Sequence, residues 1–166
     1  MQWRIGNGYD VHRFADAESA GAFITIGGLQ IDSKRKLLAH SDGDVLVHAL
    51  CDALLGALAL GDIGHHFPDS DPRYKGISSL ILLEQVLLSV REKGWQVGNA
   101  DLTLVAQEPR FAPHVSAIRE SLGRCMRVPV EKISIKATTT EGLGFAGRRE
   151  GIACYAVVLL QQSEMA

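Results

Sequence analysis

Long hydrophobic runs are missing from this sequence. None reaches the roughly 18 uncharged apolar residues that a membrane-spanning helix needs, so no spanning segment is expected. Cysteine is scarce: Cys51, Cys125 and Cys154 are odd in number, lack C-x-x-C spacing and sit among apolar neighbours. That argues against a disulfide framework and for buried free thiols in a reducing compartment. Neither sign of charge dominates. Seventeen Lys and Arg against nineteen Asp and Glu leave a formal net charge of −2, which exerts no general pull toward nucleic acid or an anionic membrane. The basic run Ser33-Lys34-Arg35-Lys36 is short and reads as a solvated loop. Internal repeats and low-complexity linkers are also absent. Met1-Gln2-Trp3-Arg4 leads straight into strand-like sequence, without the basic and apolar regions of a signal peptide, so a cytoplasmic protein is expected.

What is present suits an α/β (α+β) fold. With 166 residues, 46% of them apolar, the chain can bury one real core, and residues 1–166 read as a single domain. A strand is expected over Trp3–Arg13. A short strand, Phe23–Ile26, meets Gly27-Gly28, and Leu29–Ile31 returns as a hairpin. A helix runs from about Asp44 to Leu60, with Ser41-Asp42 at its cap and Gly61 after its end. A second covers Ile77–Lys93 before Gly94, and a third Pro113–Cys125. Strands are expected at Trp95–Gln107, Ile133–Thr138 and Gly151–Leu160. The result is a mixed sheet of about four main strands plus a small hairpin, with three helices on one face.

The last strand bears on assembly. Ile152, Cys154, Ala156, Val158 and Leu160 line one face; Ala153, Tyr155, Val157 and Leu159 line the other. Both faces are apolar and should be buried. Three helices cover one face, so the other calls for a second sheet, as in a homo-oligomer packed sheet to sheet. A fully internal strand in a monomer is the alternative.

Three stretches carry chemistry. In Gly8-Tyr9-Asp10-Val11-His12, alternation puts Asp10 and His12 on one side of the strand and Tyr9 and Val11 on the other. Such a pair either caps a strand end in water or shares a ligand. The stretch from His40 to Gly64 places Asp44, His48 and Asp52 at i, i+4 and i+8, one helical stripe among apolar residues. Unpaired burial of such groups costs several kcal/mol, roughly, so they need partners or a task. A solvent-facing stripe is the bland reading, and the scarcity of Lys, Arg and Glu on this helix counts against it. His48 can supply the third ligand that Asp10 and His12 lack. Two imidazoles and a carboxylate leave coordination positions open for substrate, suiting zinc, with iron(II) and manganese open on ligand type alone.

His40-Ser41 precedes the helix N-terminus, where N–H groups and the dipole favour an anion. Lys136–Gly151 holds the third stretch: Thr138, Thr139 and Thr140 followed by Glu141. Small donors beside one carboxylate suit phosphate oxygens and a hard cation such as Mg²⁺, although threonine is also an ordinary strand residue. Arg148 and Arg149 add charge that could meet phosphate.

Together, GYDVHRF, LLAHSDGDVLVHALCDALLGALALGDIGHHFPDSDP, AQEPRFAPH and IKATTTEGLGFAGRREGIAC resemble, in order and over nearly the full length, the 2-C-methyl-D-erythritol 2,4-cyclodiphosphate synthase family. The resemblance implies an enzyme of the methylerythritol phosphate route to isoprenoids, a phosphorus–oxygen lyase. It would convert 4-diphosphocytidyl-2-C-methyl-D-erythritol 2-phosphate to the cyclic diphosphate and release CMP. By resemblance, Asp10, His12 and His48 bind zinc, and Glu141 holds a Mg²⁺ or Mn²⁺ ion at the diphosphate. His40 and Thr139 stabilise the transition state. Asp62-Ile63-Gly64 and the turn Phe67-Pro68-Asp69-Ser70-Asp71 hold the methylerythritol part, with Asp10-Val11-His12 and His40-Ser41 beside it. Ala106, Gln107, Glu108, Pro109, Arg110, Phe111 and Ala112, with Thr138–Glu141, hold the cytidine diphosphate. The resemblance further implies a homotrimer with sites between subunits, and an axial cavity near Phe145, Arg148 and Glu150 for an isoprenoid diphosphate. Arg110 stands where relatives carry lysine and Arg149 where many carry glycine.

Rival readings come from other classes. An iron(II) oxygenase also uses two His and one carboxylate, but usually on an all-β jelly roll. A trimeric metal- or nucleotide-binding protein would bind without turnover, and a zinc phosphohydrolase would release inorganic phosphate.

Overall fold

The computed structural model describes residues 2–68 and 70–163. Among these residues six strands are formed: β1 (Trp3–Arg13), β2 (Phe23–Ile26), β3 (Leu29–Asp32), β4 (Trp95–Val105), β5 (Ile133–Thr138) and β6 (Gly151–Gln162). Five helices accompany them: α1 (Val45–Ala57), α2 (Ile63–His66), α3 (Ser79–Glu92), α4 (Val115–Met126) and α5 (Gly144–Gly147). Strands β1, β6, β4 and β5 make one mixed sheet in that order; β2 and β3 pair separately. Gly27 and Gly28, at φ +61° and +78°, make the tight turn of the small hairpin, a conformation that costs glycine little. No helix among the described residues is long and apolar enough to cross a membrane.

The boundaries move in instructive ways. Helix α1 begins later than Ser41-Asp42 would place it, because Asp44 is the cap: its carboxylate accepts from Val47 N at 3.1 Å. The same carboxylate accepts from Gly28 N at 2.7 Å, tying the hairpin turn to the helix. The segment from Pro113 opens as a 3₁₀ turn, Ala112–His114, before α4 begins. The four-residue helices α2 and α5 carry too few residues for any periodicity to announce them.

The core lies between α1 and the helix-facing side of the sheet. Almost every α1 side chain is buried, and Ile152, Cys154, Ala156, Val158 and Leu160 of β6 face it with no exposure. Helix α1 settles unusually low on β1. A Cβ on Gly6 would stand 1.8 Å from Ala53 O, and one on Gly8 would stand 1.9 Å from Ala49 O, so only glycine fits at either place.

The far side of the sheet is open. Ile5 is 73% exposed, Tyr155 50% and Val157 44%, with Trp3, Tyr9 and Val11 beside them. Tyr9 and Tyr155 are register partners with ring centroids 4.8 Å apart. The expected apolar second face of β6 is therefore real, and this chain alone does not cover it.

Cys51, Cys125 and Cys154 are free thiols; Cys51 and Cys154 are buried as expected, whereas Cys125 is only half-buried. The reading of Ser33–Lys36 as a solvated loop fails at Arg35. Its guanidinium lies over the Phe14 ring at 4.8 Å, donates to Arg149 O at 2.7 Å and pairs with Glu108 at 3.3 Å.

Candidate metal and substrate site

Strand β1 delivers its side chains alternately, so Gly6, Gly8, Asp10 and His12 all face α1. The two glycines bring the helix down, and the first residues past them that need space are Asp10 and His12. His48, one turn into α1, meets them there. His12 Nε2 and His48 Nδ1 are 3.0 Å apart, His48 Nδ1 and Asp10 Oδ2 3.0 Å, and His12 Nε2 and Asp10 Oδ2 3.1 Å. Zinc with ligands at about 2.0–2.1 Å in a tetrahedron sets its ligand atoms about 3.3 Å apart, so this near-equilateral triangle fits one face of such a site. It is also the one candidate cluster of three His, Cys or acidic groups among the described residues.

The electrostatics agree with a cation-binding triad. Burial pushes the Asp10 carboxyl upward, but the hydrogen bonds and charges of His12 and His48 outweigh it and hold its pKa well below the usual carboxylate range. For His48, burial pulls downward, yet the Asp10 hydrogen bond and the charges of Asp10, Asp44 and Asp42 raise the imidazole above its ordinary value.

The expected stripe Asp44–His48–Asp52 divides into separate tasks. Asp44 is fully buried as cap and turn anchor, and burial pushes it up to about 6 against the N–H groups of Gly28, Gly27 and Val47. Asp52 accepts from Ile63 N at 2.7 Å and so holds the start of α2; burial raises its pKa too. His48 alone turns to the site.

A cavity of about 340 Å³ opens on the triad, lined by Asp10, His12, His40, Ser41 and His48 on one side. Ile63, Gly64 and Phe67, with Tyr74, Lys75 and Ile77, line the other. Of the N–H groups at the start of α1, that of Val47 is taken by the Asp44 carboxylate. His40 and Ser41, just before the helix, face the cavity, with Ser41 Oγ 3.2 Å from His48 Nε2. Asp62 does not line this cavity; its carboxylate accepts from His65 N at 2.8 Å and caps α2. Asp71 is held by Arg73, with Nη2 to Oδ2 at 2.6 Å, while Pro68 and Ser70 are outside the lining. Asp69 lies outside the described residues. Val11 points to the open sheet face, where it borders a second cavity with Arg13, Phe145 and Glu150. Arg148 is paired with Glu150 at 2.8 Å.

The other two motifs stand apart from the triad. Strands β1, β4 and β5 run in the same direction, so Asp10–His12, Ala106–Ala112 and Thr138–Glu141 all leave one edge of the sheet. That edge is where ligands of such sheets gather. Yet β1 and β5 are the outermost strands, three steps apart, which is about 14 Å at 4.8 Å per step. None of residues 106–112 or 138–141 lines the triad's cavity. Thr139 Oγ1 donates to Glu141 Oε1 at 3.0 Å, and Glu141 sits at φ +53°, a costly backbone for a non-glycine residue that sets the direction of its carboxylate. Glu108 and Pro109 form their own cavity with Asp32, Ser33 and Lys34. Gln107 Nε2 is buried without a partner, Arg110 is exposed, and Phe111 belongs to the hydrophobic core rather than to a binding surface.

Sequence reasoning missed Tyr74 and Lys75 in the cavity, Asp42 and Ser79 behind His48, and Gly6 and Gly8 beneath α1. The one available signal was the alternation of Gly6 and Gly8 with Asp10 and His12.

The chain matches the YgbB family over residues 3–161. The 2-C-methyl-D-erythritol 2,4-cyclodiphosphate synthase of Azotobacter vinelandii is 62% identical to it over 157 residues, 95% of this chain and 98% of that protein. The synthase of Pseudoalteromonas atlantica is 59% identical over 98% of both. Among solved structures, the CDP complex of IspF from Plasmodium falciparum is similar at TM-score 0.85 and 33% identity, over 98% of this chain and 97% of that one. The bifunctional IspDF of Campylobacter jejuni reaches TM-score 0.92 at 40% identity, with 98% of this chain matching 43% of that one.

Proposed function

The chain belongs to the YgbB family, and from that membership we propose how its residues divide the work of a 2-C-methyl-D-erythritol 2,4-cyclodiphosphate synthase. It is an enzyme of the methylerythritol phosphate pathway to isoprenoids, a lyase like its curated relatives. The substrate is 4-diphosphocytidyl-2-C-methyl-D-erythritol 2-phosphate. An oxygen of its 2-phosphate attacks the β-phosphorus, the bond from that phosphorus to the bridging oxygen breaks, and CMP leaves with the oxygen. No water enters and no protein nucleophile is needed; the enzyme folds the substrate so that its two ends meet.

Asp10, His12 and His48 would hold zinc, and Glu141, with substrate oxygens, a Mg²⁺ or Mn²⁺ ion. When bound, these cations supply the charge that lets one phosphate approach another. His40, at the cavity wall, donates to the attacking or bridging phosphate. Thr139, whose hydroxyl donates its one proton to Glu141 in the free protein, would turn it to the diphosphate when Glu141 takes up its cation. Ile63, Gly64 and Phe67 give the methylerythritol part an apolar seat, with Asp62, Pro68, Ser70 and Asp71 supporting that wall; Asp69 belongs to the same turn. Residues Ala106–Ala112 and Thr138–Thr140 seat the cytidine diphosphate, Phe111 from beneath through the core, and Arg35 fixes Glu108 in place.

The observation that carries this assignment is the triangle of Asp10, His12 and His48 in a cavity with room for a small phosphorylated polyol. The lateral gap between that triangle and Glu141 supports a site completed by a neighbouring subunit, and the open apolar sheet face supports a homotrimer packed through it. The cavity at Val11, Arg13, Phe145 and Glu150 would then lie by the axis, where an isoprenoid diphosphate could bind near Arg148. The cytoplasm is the proposed location, and residues 1–166 act as one domain. The test is chromatographic: CMP accumulating in step with a cyclic diphosphate supports the assignment, and CMP with the open 2,4-bisphosphate, or inorganic phosphate, overturns it in favour of a phosphohydrolase.

A further inference from the structure

We propose that Ser79 and Asp42 are positioning residues that fix His48 in the tautomer whose Nδ1 is free to bind a metal, an inference that rests on the reading of Asp10, His12 and His48 as ligands. Ser79 is the first residue of α3 and has no exposure, and its hydroxyl carries one proton. That proton goes to Asp42 Oδ1. Ser79 Oγ is therefore an acceptor toward His48 Nε2, 2.8 Å away, and Nε2 must bring the hydrogen. With Nε2 carrying its hydrogen toward Ser79, Nδ1 is the atom left to face Asp10 Oδ2 and His12 Nε2, where it becomes the metal-binding nitrogen once the proton it shares with Asp10 is released.

Asp42 is itself fixed. Its Oδ2 accepts from Ser79 N at 2.9 Å and its Oδ1 from Asp44 N at 3.3 Å, so neither carboxylate oxygen is free to turn away. The chain Asp42–Ser79–His48 thus runs from the start of α3 to the triad, with a carboxylate as terminal acceptor. Such an outer layer orients a ligating imidazole and strengthens it as a donor, and its loss typically weakens metal binding roughly 10- to 100-fold. Neither residue lines the cavity, so their effect passes through His48.

The experiment measures two quantities besides activity: zinc affinity, by competition with a chromophoric chelator, and the His48 Nε2–H hydrogen bond, by ¹H–¹⁵N NMR of the zinc-loaded protein. Ser79→Ala keeps the backbone N–H to Asp42, so it removes the hydroxyl alone. It should weaken zinc by roughly 10- to 100-fold and shift the His48 Nε2–H signal, which then exchanges faster with solvent. Ser79→Thr, which retains the hydroxyl, should recover most of the affinity. Asp42→Asn gives an independent route if Ser79→Ala does not fold. Its amide can donate to Ser79 Oγ and release the hydroxyl proton toward His48 Nε2, which moves the ring hydrogen to Nδ1 and blocks the metal. Zinc affinity within about twofold of wild type in both variants, or an unchanged His48 Nε2–H signal, overturns the proposal. His48→Ala separates the two layers of the argument. It must lose tight zinc whatever Ser79 does, and if it does not, the metal-ligand reading itself fails.

Discussion

A Cβ on Gly8 would stand 1.9 Å from the carbonyl oxygen of Ala49, the residue that follows the ligand His48. The same β1 stripe continues into Asp10, so this contact sets the height at which His48 meets its partners. The obstacle is helix backbone, which no rotamer change can relieve. Gly8→Ala should therefore cost at least about 3 kcal/mol, the upper part of the range for overpacking. It should show as loss of soluble protein or a steep fall in Tm. A variant that melts within a degree or two of wild type would mean that α1 does not rest on β1 this way.

The metal-free triad makes stability depend on pH in a definite direction. Asp10 is lowered, so its stabilisation exists above the unfolded value of about 3.9 and disappears as pH falls through the folded one. His48 is raised, so its stabilisation is complete below about 6.5 and disappears as pH rises through its folded pKa. The two overlap between about pH 4 and 6.5. Urea denaturation in chelator should show the gap between wild type and Asp10→Asn widest there and narrowing toward alkaline pH. A gap that is constant across this range would contradict the coupling.

Arg35 should matter to nucleotide binding although it lies in a loop that reads as solvent-facing. It ties Glu108, in the proposed cytidine loop, to the Arg149 carbonyl. A charged hydrogen bond of this kind contributes about 1.5 kcal/mol or more, so Arg35→Ala should weaken CDP about tenfold or more by calorimetry. Unchanged affinity would make the contact purely structural.

Subunit sharing can be tested by mixing two dead variants. His48→Ala lacks the triad and Glu141→Ala lacks the opposite edge, so neither alone should turn over. Refolded together and assorted at random in a shared-site trimer, about a quarter of sites would combine both intact halves, and activity should reappear in that proportion. Failure to recover any would place the whole site within one chain. Tyr155→Glu, on the open sheet face, should give monomers by light scattering and no activity.

Much of this was legible in the chain. Alternation placed Asp10 and His12 together, i to i+4 spacing singled out His48, and Gly27-Gly28 marked its turn, because each is a local rule with a fixed period. What escaped was set by distant backbone. Gly6 and Gly8 look like weak strand residues until Ala49 and Ala53 arrive above them. Ser79 looks like any helix-start serine until Asp42, thirty-seven positions earlier, accepts its proton. Arg35 looks like part of a basic run until Phe14 and Glu108 surround it. Asp44 displaced Ser41-Asp42 as the cap for the same kind of reason, since only the packed hairpin offers it Gly28 N.

The most direct measurement is ³¹P NMR of the zinc- and magnesium-supplied protein with 4-diphosphocytidyl-2-C-methyl-D-erythritol 2-phosphate, run beside His48→Ala. The account predicts that CMP and a cyclic diphosphate rise in step with wild type and that neither appears with the variant. Inorganic phosphate, substrate bound but unchanged, or an equally active His48→Ala would contradict it.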